Sequence, residues 1–146
     1  MKESKTELEQ KIDTAIELFR KDSNITFLEI AKLVKAAILN NKHSEKPISE
    51  LEVLQRMAKE REKAIAIYDK AGRDDLALKE TRELGYIRGM IPKEPSEQEI
   101  EELIAELMEA TTLTIKDTKR VITDVQSTFP TAQKGTIVKI FKSLLQ

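Results

Sequence analysis

The chain has 146 residues, 40% of them hydrophobic and 35% charged, with a net charge of −1. That is enough apolar material for one or two small cores under a densely charged surface. The absence of Cys and the single His, His43, exclude disulfides, thiolate nucleophiles, zinc sites built on thiolates and a His pair for a metal.

A capping box at Ser4 and Glu7 is expected to open the first helix. Leu8, Ile12, Ala15, Ile16 and Phe19 then repeat at helical spacing. Asp22, Ser23 and Asn24 break the pattern and can cap a second helix. Its expected packed face is Ile25, Leu28, Ala31, Val34 and Ile38, and it runs to about Asn40. Asn40 to Pro47 reads as a loop.

Ser49 and Glu52 predict a second capping box and a long helix to about Ala71. Its stripe is Val53, Leu54, Met57, Ala58, Ile65 and Tyr68, and Gly72 follows where a helix C-terminus is expected. A fourth helix starts at Asp74 and carries Leu76, Ala77, Leu84, Ile87 and Ile91. Pro92 and Pro95 then mark the best domain boundary, separating residues 1–92 from 96–146. Beyond it, Ser96 and Glu99 cap a fifth helix with Ile100, Leu103, Ile104 and Leu107. Thr114 and Asp117 start a sixth through Val121, Ile122 and Val125, ending before Pro130. The last helix holds Ile137, Val138, Phe141, Leu144 and Leu145. The expected fold class is all-α, four helices followed by three. No run reaches the roughly 18 apolar residues of a membrane span. Met1 to Gln10 mixes Lys and Glu without an apolar stretch, so no secretory signal is expected and a cytoplasmic location is the default.

The stretch Tyr68-Asp69-Lys70-Ala71-Gly72-Arg73-Asp74-Asp75-Leu76-Ala77-Leu78-Lys79-Glu80 resembles the Y-x-K-A-G-R-x-D-L-A-x-K-E signature of the GatB/YqeY family. Its members here are Tyr68, Lys70, Ala71, Gly72, Arg73, Asp75, Leu76, Ala77, Lys79 and Glu80. Lys59-Glu60-Arg61 upstream, with Ile91-Pro92-Lys93 and Ser96 to Ile100 downstream, is similar to the family's flanks. The resemblance implies a four-helix bundle followed by a three-helix subdomain. It also implies kinship with the tRNA-holding tail of an amidotransferase subunit, so any amidotransferase-like label would be inherited. One departure is Phe129 to Gly135, where the family commonly has a G-K-A-D-G type loop. Only Lys134-Gly135 is similar there.

Charge is unevenly distributed. Glu94 to Glu109 holds seven acidic residues and no basic one. Lys116 to Gln146 holds Lys116, Lys119, Arg120, Lys134, Lys139 and Lys142 against Asp117 and Asp124. A clustered basic face attracts phosphates; alternatively the acidic fifth helix neutralises the basic sixth and seventh. A second basic group, Arg56, Lys59, Arg61, Lys63, Lys70 and Arg73, reads as an exposed face laced with i,i+4 ion pairs. Arg73, in the Gly72 turn, is expected to cap carbonyls of the third helix or to meet Asp75. Gly85 and Gly89, four apart on the fourth helix, mark either a close backbone approach or a fraying end, and a close-packed face is the expectation.

Catalytic readings are poor. Glu60 with Glu62, and Asp74 with Asp75, are neighbours only in sequence and do not share a helix face. His43 lies in a polar loop. Neither a G-x-S-x-G elbow nor a glycine-rich phosphate loop occurs. The expectation is a binding module without enzymatic activity, cofactor, metal or small-molecule substrate, contacting tRNA or a tRNA-handling complex. The alternative is a protein–protein adaptor using the fourth or fifth helix.

Overall fold

The computed structural model describes residues 4–146 of the chain. Among them are seven α-helices and no strand: α1 (Glu7–Lys21), α2 (Ile25–Lys42), α3 (Glu50–Lys70), α4 (Asp74–Met90), α5 (Glu97–Ala110), α6 (Thr118–Thr128) and α7 (Lys134–Leu144). The all-α expectation holds. The chain divides into two compact units, the second beginning at Pro92.

The first unit is built from two helical hairpins, α1–α2 and α3–α4. Their apolar stripes meet in a core of Ile12, Ile16, Ile30, Ala31, Val34, Ile38, Val53, Leu54, Met57, Ala58, Leu84 and Ile87. Phe19, Phe27 and Tyr86 cluster at one edge with ring centroids 5.6 to 6.0 Å apart, tying the α1–α2 turn to α4. Such ring pairs contribute about 0.5–1.5 kcal/mol beyond their burial. Polar ties add direction. Glu9, buried on α1, meets Lys42 of α2 at 3.0 Å. The Asn41 side chain accepts from the Ile48 N–H and donates to the Ile48 carbonyl, clasping the α2–α3 loop. The buried residues of α3 stop at Ala58, and in the first two turns of α4 only Ala77 is buried. The half of the hairpin nearest its turn is therefore held by fewer apolar contacts.

Several boundaries differ from expectation, each for a local reason. The cap of α1 is Thr6, whose hydroxyl accepts from the Glu9 N–H, rather than Ser4 with Glu7. The Thr6 hydroxyl also donates to Glu50 at the start of α3, anchoring the cap there. Ile25, expected on the packed face of α2, is 66% exposed because the buried stripe begins at Ile30. α2 runs two residues past Asn40, its last turn fixed by Asn41 and Lys42. Ser49 caps α3 by accepting from the Glu52 N–H, but the expected capping box is only half formed, because the Glu52 carboxylate turns to Arg56 at 3.5 Å. Ile91 falls outside α4 in extended backbone, the conformation that a following proline favours.

In the second unit, Ile100, Ile104, Val121, Val125, Ala132, Ile137 and Phe141 form a separate core. Ser96 and Glu99 make the full capping box on α5, each satisfying the other's backbone N–H. Thr114 and Asp117 do not open α6 directly. They frame a 3-10 turn, Ile115–Asp117, in which the Asp117 carboxylate accepts the Thr114 N–H at 2.8 Å, and α6 follows. Gln126 donates to the Ala132 carbonyl and holds the α6–α7 loop against the core.

Candidate nucleic-acid interface

The family-like signature forms the α3–α4 turn. Gly72 sits at φ +71, where a side chain is strained. Its N–H reaches the Asp69 carbonyl and the Arg73 N–H reaches the Tyr68 carbonyl, the paired bonds of a Schellman turn. Arg73 then meets the Asp75 carboxylate through Nε and Nη2 at 3.3 and 3.2 Å. Of the two roles expected for Arg73, this is the observed one. The guanidinium holds the Asp75 carboxyl below its ordinary range. Asp74 and Asp75 in the first turn of α4 also favour its positive N-terminal end. Tyr68 and Leu76 are half-buried, Ala77 is buried, and Lys70, Ala71 and Lys79 are exposed. Most of the signature thus builds a turn.

The α3–α4 seam also holds an ion pair that the sequence did not indicate. Arg61 of α3 meets the buried Glu83 of α4 at 3.3 Å, and both side chains are under 20% exposed. Glu80 lies half-buried one turn away, its pKa raised by burial and then by the Glu83 carboxylate. The available signal was Arg61's position between Ala58 and Ile65 in the apolar stripe of α3.

All six basic residues expected to form the phosphate-binding face belong to the second unit and are exposed. Lys116 lies in the 3-10 turn rather than in α6. Three residues per 3-10 turn keep it near the side of Lys119. Lys119 and Arg120 are in the first turn of α6, and Lys139 and Lys142 lie on α7 away from the buried Ile137 and Phe141. Lys134 is the first residue of α7 instead of preceding it. The Gln133 side chain at that terminus caps no N–H.

The neutralisation reading fails at the level of contacts. Among the described residues, no ion pair joins α5 to α6 or α7; the one pair made by the six basic residues is Arg120 to Asp124 within α6, at 3.8 Å. The glutamates of α5 are likewise exposed. The ion-pair lattice expected on α3 is also sparse. Arg56 has Glu52, but Lys59, Lys63 and Lys70 have no ion pair among the described residues. Gly85 and Gly89 correct a further expectation. α4 runs through both, and a Cβ at either would meet nothing within 4 Å, so neither marks a close approach.

Among the described residues, no group of three His, Asp or Glu could hold a metal, and no helix is long and apolar enough to cross a membrane. The fold defines a small all-helical protein whose second unit exposes these six basic side chains. A family model described as Yqey-like protein matches residues 5–145, and the chain belongs to that family of small helical domains related to the C-terminal region of GatB. A comparison with curated proteins returns no match.

Proposed function

We propose that the protein is a non-catalytic helical module that contacts tRNA, or a complex that handles tRNA, through the basic face of α6 and α7. The observation that carries this reading is that, among the described residues, Lys116, Lys119, Lys134, Lys139 and Lys142 form no ion pair. An exposed ammonium without a carboxylate partner keeps its full attraction for phosphate, and binding is driven by release of counterions. The uncapped start of α7 next to Lys134 adds free N–H groups that favour an anion. Family kinship with a domain of a tRNA-dependent enzyme supports RNA as the polyanion.

The test is tRNA binding at low and moderate salt by wild type beside a Lys119→Glu, Arg120→Glu, Lys139→Glu variant. Wild type should bind, weaken steeply with salt, and bind more tightly than the variant. Equal binding by both, or none by either at low salt, removes the reading. The exposed glutamates of α5 would then favour the second reading, an adaptor that docks a protein through α5.

A further inference from the structure

We propose that α3 carries a second contact for the RNA phosphodiester backbone, formed by Lys59, Lys63 and Lys70 in the first unit. This rests on RNA being the ligand, but on a surface separate from the α6–α7 face. At 100° per residue these three positions fall within about 40° of one another, and they span about 16 Å along the helix. All three are exposed and have no ion pair among the described residues. Of the acids beside them on α3, Asp69 is exposed next to Lys70, while the two that flank Lys59 and Lys63 are drawn elsewhere. Glu60 contacts Arg61 at 3.4 Å, and Glu62 reaches across to Arg88 on α4. The outcome is a row of three ammonium groups, with Ala66 between the last two, on the side of α3 opposite its buried stripe of Val53, Leu54, Met57 and Ala58.

The chemistry of the row favours a polyanion over a partner helix. A docked amphipathic helix needs apolar anchors at i, i+3 or i+4, and i+7. Here the one large apolar side chain beside the row is Ile67, 64% exposed. Flexible ammonium groups at intervals suit a backbone of repeating phosphates, which demands charge more than shape.

The experiment titrates a purified tRNA mixture into the full chain over a range of salt. Wild type is compared with a Lys59→Gln, Lys63→Gln, Lys70→Gln variant. The control is a Lys21→Gln, Lys32→Gln, Lys46→Gln variant, which removes the same charge from other exposed positions of the first unit that form no ion pair among the described residues. The stripe variant should show a slope of log affinity against log salt shallower by about 2 to 3, since each lost phosphate contact removes about 0.7 to 0.9. The control should keep the wild-type slope. Single Lys63→Gln, expected to remove about one third of the effect, covers the case in which the triple variant melts early. Equal slopes for stripe and control variants overturn the proposal. So does loss of binding to polyglutamate with tRNA binding intact, which would assign α3 to an acidic protein. If the α6–α7 variant alone loses tRNA, the C-terminal face stands and α3 falls. If the stripe variant alone loses it, the reverse holds.

Discussion

Ser23 and Gly72 hold the same backbone position in two turns of one type, at φ 55 and 71. In the α1–α2 turn the Asn24 N–H reaches the Phe19 carbonyl and the Ser23 N–H reaches that of Arg20, as Arg73 and Gly72 do with Tyr68 and Asp69. Glycine adopts this left-handed conformation without the cost of about 1–2 kcal/mol that a side chain incurs. Ser23→Gly should therefore raise stability by about 0.5 kcal/mol after the added freedom of the unfolded chain is set against it, and Gly72→Ala should lower it by about 1 kcal/mol. Thermal melts of both variants check the pair. A fall for Ser23→Gly would show that the serine is held by something other than the turn.

The glycines inside α4 should respond in the opposite sense to Gly72. Gly85 and Gly89 lie in regular helix with open space around each. Alanine there gains helix propensity without a clash, so each change should stabilise by about 0.5–1 kcal/mol. Chemical denaturation of the single and double variants measures this. A loss of stability would restore the close-approach reading.

The helices were legible because a stripe of Ile, Leu, Val and Ala every three or four residues has few solutions other than packing. Ile100 with Ile104, and Val121 with Val125, stand where that spacing put them. Polar side chains that reach across the fold were not legible. Thr6 outcompeted Ser4 as a cap because Glu50, far along the chain, holds its hydroxyl. Arg61 looked like one more surface charge because its partner Glu83 lies on another helix. The candidate site divides the same way. Its cations could be named from the sequence, but the lack of salt bridges to α5 depends on how three helices are arranged.

The Arg61–Glu83 pair should be costly to break from one side. Arg61→Met leaves a carboxylate that is 7% exposed without its cation and should cost about 2 kcal/mol. Replacing both residues, Arg61→Met with Glu83→Leu, should recover most of the loss. Denaturant midpoints for the two singles and the double form the cycle. A double variant as unstable as the sum of the singles would exclude coupling.

Glu80 predicts a dependence on pH with a defined sign. Burial, then the Glu83 carboxylate, raises its pKa above the ordinary value of 4.5, so the folded state binds a proton that the unfolded state has released. Stability must then fall as pH rises from about 4.5 through the raised value. Glu80→Gln should flatten that decline, seen as a smaller difference in unfolding free energy between about pH 4.5 and 7. Asp13, held low by hydrogen bonds from Lys35 and Lys5, acts in the other direction and below this window, from its ordinary 3.8 downward. An unchanged decline in the variant would mean that Glu80 ionises freely.

The ring cluster has a spectroscopic consequence. With no Trp in the chain, ultraviolet emission comes from two tyrosines, Tyr68 near the α3–α4 turn and Tyr86 against Phe19 and Phe27. Both belong to the first unit, and no fluorophore of this kind lies after Pro92. Intrinsic emission therefore watches one half of the molecule. An event confined to α6 and α7 would pass without a direct optical signal until a Trp is introduced there.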